Sequence, residues 1–192
     1  MTLRSNNRII VTAAICCLAF IVPLCGCDQS PIAELAQKLN HEDHEVRYDA
    51  LKQLEKYGPE ARKAVNELKV ALEDPSSKVR YRSAKVLSKI GIGAAPAAKE
   101  VTSALKEADT EMRYYLVKTL ANIEDDAVIA IEELTEILGD EADARTRYYA
   151  AKALGKLGKE AQSAIPALEK ALQDTEEKVQ KAVAQALKKV KG

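Results

Sequence analysis

The tetrad Val46-Arg47-Tyr48-Asp49 recurs along this chain of 192 residues at a nearly constant interval. Its arginine position advances by 33, 33, 34 and 33 residues, with Gln180 in a divergent last copy. The later copies are Val79-Arg80-Tyr81-Arg82, Met112-Arg113-Tyr114-Tyr115, Thr146-Arg147-Tyr148-Tyr149 and Val179-Gln180-Lys181-Ala182. A regular period of this length indicates stacked repeats, because one supersecondary unit of this size cannot bury its apolar face alone.

Each repeat carries two apolar stripes with helical spacing. The first has apolar residues at positions i, i+3 and i+7, as in Ile32, Leu35 and Leu39. The second begins at the tetrad and continues through Leu51 and Leu54. We therefore predict an all-α solenoid over residues 31–192, with about ten helices in five helix-pair repeats. The expected repeats are approximately 31–61, 62–94, 95–127, 128–161 and 162–192.

Turn residues agree with this division. Gly58, Gly91 and Gly158 follow second helices, as C-terminal caps do. Asp74 and Asp174 precede second helices and are predicted N-caps, and Glu177 would complete a capping box with Asp174.

The repeat motif combines an Asp-containing turn, Val-Arg, a following Ala, then Ala-Leu and Gly, and is clearest in Ala150-Ala151-Lys152-Ala153-Leu154-Gly155. It resembles the HEAT repeat, particularly the short bacterial type related to phycobilin lyases. The resemblance implies a right-handed α-α superhelix whose second helices line the concave surface. It concerns the repeat type only, so no lyase activity is expected from it.

Residues 1–26 are predicted to be a bacterial lipoprotein signal peptide. Arg4 and Arg8 precede an apolar run, which ends at Leu24-Cys25-Gly26-Cys27. This ending resembles a lipobox, and the resemblance assigns lipidation to Cys27, with residues 27–30 as a short tether. The protein would then be exported and anchored to the cell envelope membrane. An uncleaved N-terminal anchor and a plain secretory signal are the alternatives.

The recurring tetrad suggests two roles. A helical wheel places its arginines at the rim of the core, which predicts a structural ladder bonded to acids and carbonyls of the turns: Arg47, Arg80, Arg113 and Arg147. The same wheel exposes a tyrosine column and a lysine column on the second helices. They form a candidate concave binding face: Tyr48, Lys52, Tyr81, Lys85, Tyr114, Lys118, Tyr148 and Lys152. Ordinary solvated helix surface is the alternative interpretation of these columns.

Catalytic chemistry is not indicated. The two histidines, His41 and His44, lack the spacing of a zinc protease, and no phosphate-binding glycine loop occurs. We therefore predict no enzyme activity, no cofactor, no catalytic residue and no metal site. The net charge of zero does not by itself suggest a polyanion partner, and no nucleic-acid partner is expected because the predicted signal indicates export.

The function expected from these features is a membrane-anchored, non-enzymatic scaffold or adaptor. It would bind an unidentified, membrane-proximal protein partner through the concave face. Two alternatives remain open: binding of anionic lipid or polysaccharide through the lysine columns, and service as an accessory subunit of an enzyme.

Overall fold

A computed structural model describes residues 30–139 and 143–192, and within these ranges the protein is built from helices and contains no strand. The first helices of the pairs are α1 (Pro31–Lys38), α3 (Val65–Ala71), α5 (Ala98–Ala104), α7 (Ile131–Gly139) and α9 (Ile165–Ala171). The second helices are α2 (His44–Tyr57), α4 (Ser77–Ile90), α6 (Thr110–Leu120), α8 (Ala144–Leu157) and α10 (Glu177–Lys191). The predicted all-α solenoid class is confirmed.

Three of the expected first helices are shorter than the sequence suggested. Seven of the α-helices in the described ranges have eight residues or more, whereas α3, α5 and α9 have seven each. The residues before α3, α5, α7 and α9 form 3₁₀ segments instead: Gly58–Ala64, Gly91–Ala97, Glu124–Ala130 and Gly158–Ala164. A shorter 3₁₀ segment, Leu105–Glu107, follows α5.

The four 3₁₀ segments of seven residues each bury a pair of alanines. Each contains two alanines three residues apart, and a 3₁₀-helix has three residues per turn, so both alanines lie on one face. All of them are fully buried: Ala61 and Ala64, Ala94 and Ala97, Ala127 and Ala130, Ala161 and Ala164. The 3₁₀ segment thus packs the residues before α3, α5, α7 and α9 against the core.

The second helices pack in series, α2 on α4, α4 on α6, α6 on α8 and α8 on α10, and form one layer of the solenoid. The first helices pack against their own second helices on the other side. Aliphatic side chains fill the space between, and the largest fully buried ones include Leu51, Leu87, Leu120 and Leu154. Burial of each such side chain stabilises the fold by roughly 2 kcal/mol, and the sum holds the repeats together.

The turn after each second helix requires a positive φ angle. Gly58, Gly91 and Gly158 have φ values of 54°, 74° and 55°, as expected for glycine caps. In the third repeat the equivalent residue is Glu124, with φ 56°. A side chain is strained in this region, and α6 ends early, after eleven residues compared with fourteen in α2, α4 and α8.

The predicted N-caps at Asp74 and Asp174 are wrong. The N-cap residues are Ser76 and Glu176, and neither makes a side-chain capping bond. The Oδ1 atom of Asp74 instead accepts the Ser76 backbone N–H at 2.8 Å, and Asp174 accepts that of Glu176 at 2.9 Å. Each aspartate lies two residues before the N-cap position, and its side chain accepts a backbone hydrogen bond within the turn.

The predicted signal peptide, residues 1–26, and the lipidation residue Cys27 lie outside the described residues. Within residues 30–139 and 143–192, no helix combines the length and the apolar character needed to cross a bilayer.

Candidate functional site

The arginines of the tetrad point into the turns. Arg47 donates from Nε and Nη2 to the Asp74 carboxylate of the next repeat, at 2.6 and 2.8 Å. Its Nη1 donates to the carbonyls of His41 and Glu42, both at 2.7 Å. Arg147 makes the same bidentate pair with Asp174, at 2.6 and 2.9 Å. These bonds join neighbouring repeats and fix two turns at once.

The pKa values of this ladder follow from the pairing. Burial raises the pKa of Asp74, but the hydrogen bonds from Arg47 and from the Ser76 backbone outweigh it and lower that pKa overall. The Arg147 hydrogen bond lowers the pKa of Asp174 against the opposing effect of burial. Both carboxylates therefore stay ionised and keep their arginines bound.

The other two arginines bond to carbonyls of their own turns. Arg80 Nη1 donates to the carbonyls of Asp74 and Pro75 at 2.8 and 3.1 Å. Arg113 Nη2 donates to the Ala108 carbonyl at 3.3 Å. In all four repeats the guanidinium group lies at the turn rather than among the lysines of the candidate face.

The tyrosines form a chain of edge-to-face contacts across repeats two to four. Ring centroids lie 5.6 Å apart in Tyr81–Tyr115, 4.9 Å in Tyr114–Tyr115, 5.7 Å in Tyr114–Tyr149 and 5.1 Å in Tyr148–Tyr149. The interplanar angles of 62–84° suit the quadrupoles of the rings. Burial and the Tyr81 hydroxyl raise the pKa of Tyr115 to about 12. The half-buried rings thus bind the second helices to one another.

The chain follows a simple rule of position. In each of these contacts between repeats, the residue two places after the tetrad arginine packs on the tyrosine of the preceding repeat. Tyr115 covers Tyr81, and Tyr149 covers Tyr114. In the second repeat this residue is Arg82, whose guanidinium lies 5.0 Å from the Tyr48 ring centroid and donates to the Tyr48 hydroxyl at 2.7 Å.

The Glu55 carboxylate forms salt bridges with three cations of the second repeat. It lies 2.7 Å from Arg82 Nη1, 3.2 Å from Lys85 Nζ and 2.8 Å from Lys89 Nζ. Burial by itself raises the pKa of Glu55, but the hydrogen bonds from Lys89, Arg82 and Lys85 lower it to about 2. The sequence reasoning missed Glu55 and Arg82. The available signal was that Arg82 breaks a column that is tyrosine in the next two repeats.

The predicted lysine column is therefore not uniform. Lys85 is held by Glu55 and its side chain is 24% exposed, whereas Lys52 is 50% exposed and pairs with Asp49 at 3.3 Å. Lys118 Nζ lies 5.7 and 5.8 Å from the rings of Tyr114 and Tyr149. Lys152 is exposed, with its Nζ 5.6 Å from the Tyr149 ring.

A cleft of about 890 Å³ opens at the end of this tyrosine chain, between α8 and α10. Tyr148 and Tyr149 line one side of it. Small residues line its base, and cations surround its mouth: Ala151, Gly155, Ala182 and Ala186, then Arg145, Lys152, Lys156, Lys178, Lys181 and Lys189. Glu176 is the one acid in this lining. Of the candidate face, Tyr114, Tyr148 and Lys152 meet here, while the candidate residues of the first two repeats are not part of this lining.

The histidines occupy the first turn. His41 Nδ1 accepts the Asp43 backbone N–H at 3.0 Å, and His44 Nε2 lies 3.2 Å from Glu45. The part of the chain that the structure describes contains no group of three or more His, Cys, Asp or Glu residues placed to hold a metal ion.

Comparisons with known structures agree with this architecture. An engineered protein of the Northeast Structural Genomics Consortium superposes with a TM-score of 0.72 at 26% identity, over 83% of this chain and 79% of that one. A designed armadillo repeat protein in complex with the peptide (KR)4 gives 0.73 at 21% identity, over 81% and 80%. The complex of CpcE and CpcF of phycocyanin lyase from Nostoc sp. PCC7120 gives 0.68 at 25% identity, over 88% and 68%.

No curated protein sequence matches this chain significantly. A family model for HEAT repeats matches residues 32–102 and 98–188, which together span most of the sequence. The recurring Arg-Tyr tetrad, the paired helices and the serial packing of the second helices are thus explained together: the chain belongs to the HEAT-repeat family.

Proposed function

We propose that this protein is a non-enzymatic scaffold that binds a protein partner through its second-helix layer. The observation that carries the proposal is the cleft between α8 and α10, where aromatic rings, small residues and cations meet. Interfaces between proteins are enriched in tyrosine and arginine, and concave apolar sites with a few polar groups are typical binding sites. The paired arginines hold neighbouring repeats rigidly, so the layer is preorganised.

The solved structures that this chain resembles support a protein partner. One is in complex with a peptide, and another is a complex of two protein chains. Because the second of these concerns a lyase, an accessory role in an enzyme complex is the second candidate function. The same test separates the two, since the identity of the partner decides between them.

Four lysines on the layer provide the test. We expect the combined change of Lys52, Lys85, Lys118 and Lys152 to Glu to abolish recovery of the partner that co-purifies with the full chain in mild detergent. A matched control reverses four exposed lysines on the other side of the solenoid: Lys38, Lys99, Lys106 and Lys170. Partner recovery that is equal in both variants would refute the proposed role of the layer.

We further propose that lipid on Cys27 anchors the protein to the envelope membrane. The lipobox-like run Leu24-Cys25-Gly26-Cys27 supports this. Mass spectrometry of the protein from membranes should find an acylated N-terminal Cys27, and Cys27→Ser should leave the protein unacylated. Retention of Met1 in the wild-type protein would contradict the proposal.

A further inference from the structure

We infer that the cleft between α8 and α10 binds an aromatic side chain of the partner, flanked in the partner's sequence by acidic residues. This inference rests on the proposed function and gives the chemistry of the partner. It follows from three observations: an uncovered ring, a space of suitable size and an excess of cations.

The uncovered ring belongs to Tyr148. In the earlier repeats, the side chain two places after the tetrad arginine covers the preceding tyrosine, as Arg82, Tyr115 and Tyr149 do. The equivalent residue of the fifth repeat is Ala182, whose methyl group is too short for this role. The whole of α10 contains neither an aromatic residue nor an arginine. Tyr148 therefore presents to the cleft the surface that a ring or a guanidinium group covers elsewhere.

The space beside Tyr148 accommodates more than one side chain. At about 890 Å³, the cleft lies within the range of ligand pockets. Its base stays closed because α8 and α10 approach each other closely: a Cβ atom on Gly155 would lie 2.8 Å from Ala186 Cα. An entering ring would thus contact Tyr148 on one side and alanine methyl groups below, which buries apolar surface.

The positive charge around the mouth of the cleft favours acidic residues next to that aromatic residue in the partner's sequence. Six cations and one acid line the cleft. Three of the cations are already paired: Arg145 with Glu111, Lys156 with Glu124 and Lys181 with Glu177. Within the described ranges, no carboxylate pairs with the other three, which are Lys152, Lys178 and Lys189. Carboxylates flanking the ring would supply the missing partners and speed association.

A protein side chain fits this site better than a lipid headgroup. Anionic headgroups would satisfy the lysines, but they have no group that covers Tyr148. In three earlier junctions the covering group comes from Tyr or Arg, and the two tyrosines make edge-to-face contacts at 78° and 68°. A tyrosine or phenylalanine from the partner would repeat this contact.

Peptide binding to the full chain, purified in mild detergent, tests the inference. Fluorescence anisotropy at low ionic strength would compare three labelled probes: Asp-Glu-Tyr-Asp-Glu, Asp-Glu-Ala-Asp-Glu and Lys-Arg-Tyr-Lys-Arg. We expect the acidic tyrosine peptide to bind about tenfold more tightly than the alanine version, as burial of one ring predicts. The basic peptide should bind more weakly than both, because the cations repel it.

Substitutions at Ala182 that fill the cleft with a larger side chain give the decisive test. Ala182→Tyr restores the residue type of Tyr115 and Tyr149, and Ala182→Arg restores that of Arg82. Both should weaken binding of the acidic tyrosine peptide at least about tenfold, which is the loss of the ring contact. Thermal unfolding followed by circular dichroism checks that each variant is folded. Unchanged peptide affinity in either folded variant would overturn the inference.

Two double charge-reversal variants, one at the cleft and one at the equivalent first junction, test the site without changing the core. Lys152→Glu with Lys178→Glu should weaken the peptide about tenfold, since two cations at the mouth become repulsive. The equivalent residues of the first junction, changed as Lys52→Glu with Lys78→Glu, should alter it less than about twofold. Equal losses in the two double variants would place the peptide elsewhere and refute the site.

Two further outcomes also overturn the inference. One is equal affinity for the tyrosine and alanine peptides. The other is binding of phosphatidylglycerol vesicles that Ala182→Tyr leaves intact, together with no peptide binding, which would make the cleft region a lipid site. If the peptide fails while the four-lysine variant still loses its co-purifying partner, the inference fails and the proposed function stands.

Discussion

The junction between α2 and α4 and the junction between α8 and α10 are formed by equivalent residues that lie 100 positions apart. Tyr48 corresponds to Tyr148, and Lys52 to Lys152. In the first junction Arg82 covers Tyr48, and Glu55 neutralises the cations beside it. The second junction has Ala182 in place of Arg82 and Gly155 in place of Glu55, and a cleft of about 890 Å³ opens beside them.

The difference shows how a repeat protein acquires a specific site. The first junction keeps a polar cleft of about 500 Å³, lined by Glu55 and Asp49 and by no tyrosine. The changes from Glu55 to Gly155, from Arg82 to Ala182 and from Asp49 to Tyr149 thus accompany the difference between a self-satisfied ion cluster and an open, basic, aromatic cleft. Function is to be sought where a repeat departs from the pattern, since the pattern itself serves the packing of neighbouring repeats.

The largest expected effect on stability comes from a substitution where α8 and α10 approach each other closely. Gly155→Ala would place a Cβ 2.8 Å from Ala186 Cα, which is backbone and has little room to move. We expect a loss of about 2 to 3 kcal/mol in the free energy of unfolding, despite alanine's better helix propensity. Urea unfolding measures it. Gly139→Ala is the control, because no residue of the described ranges lies within 4 Å of its added Cβ, and we expect a change within about 0.5 kcal/mol.

The next effect concerns the first junction. Glu55→Gln removes the charge that holds Arg82, Lys85 and Lys89, and we expect it to cost about 2 kcal/mol at neutral pH. Because the folded-state pKa of Glu55, about 2, lies below its ordinary value of 4.5, this stability is complete above that ordinary value. It is lost as the pH falls towards 2.

Unfolding measured across that pH range checks the prediction. The free energy of unfolding of the wild-type protein should fall to that of the Glu55→Gln variant as the solution is acidified from the ordinary glutamate pKa of 4.5 towards 2. The opposite junction offers no counterpart, since Gly155 cannot titrate. A difference between the two proteins that does not depend on pH would mean that the Glu55 cluster contributes nothing through its charge.

The smallest predicted effect lies between the two junctions, at the strained turn after α6. Glu124→Gly gives the third repeat the residue that the other turns of this kind have, and it should stabilise the protein by about 1 kcal/mol. The Glu124 side chain in the ion pair with Lys156 is 59% exposed, so loss of the pair costs little. A rise in Tm is expected, and a lower Tm would show that the turn is not strained.

The repeat period and the apolar stripes were enough to predict the fold, because helix stacking depends on periodic burial that is visible in sequence. The 3₁₀ segments were not predicted. Their alanine pairs, such as Ala61 and Ala64, fit an α-helix almost as well, and only the tertiary space decides between them. The capping role of Asp74 was wrong because its carboxylate bonds to Arg47 and the turn.

The candidate site was only partly visible in the sequence. The columns of Tyr48 and Lys52 were found, since a helical wheel depends on spacing alone. The Glu55 cluster and the covering role of Arg82 depend on contacts between repeats. Whether a lysine is free therefore depends on the residue of the neighbouring repeat that faces it, as Glu55 faces Lys85, and no single helix reveals this.

The chain of half-buried tyrosines also makes this protein its own optical probe. The sequence has no tryptophan and seven tyrosines, of which Tyr81, Tyr114, Tyr115, Tyr148 and Tyr149 touch edge to face. Near-ultraviolet circular dichroism will therefore be dominated by rings coupled across three consecutive repeats. Fraying of any one helix in this series would uncouple its neighbours and register as a loss of signal, without any added label.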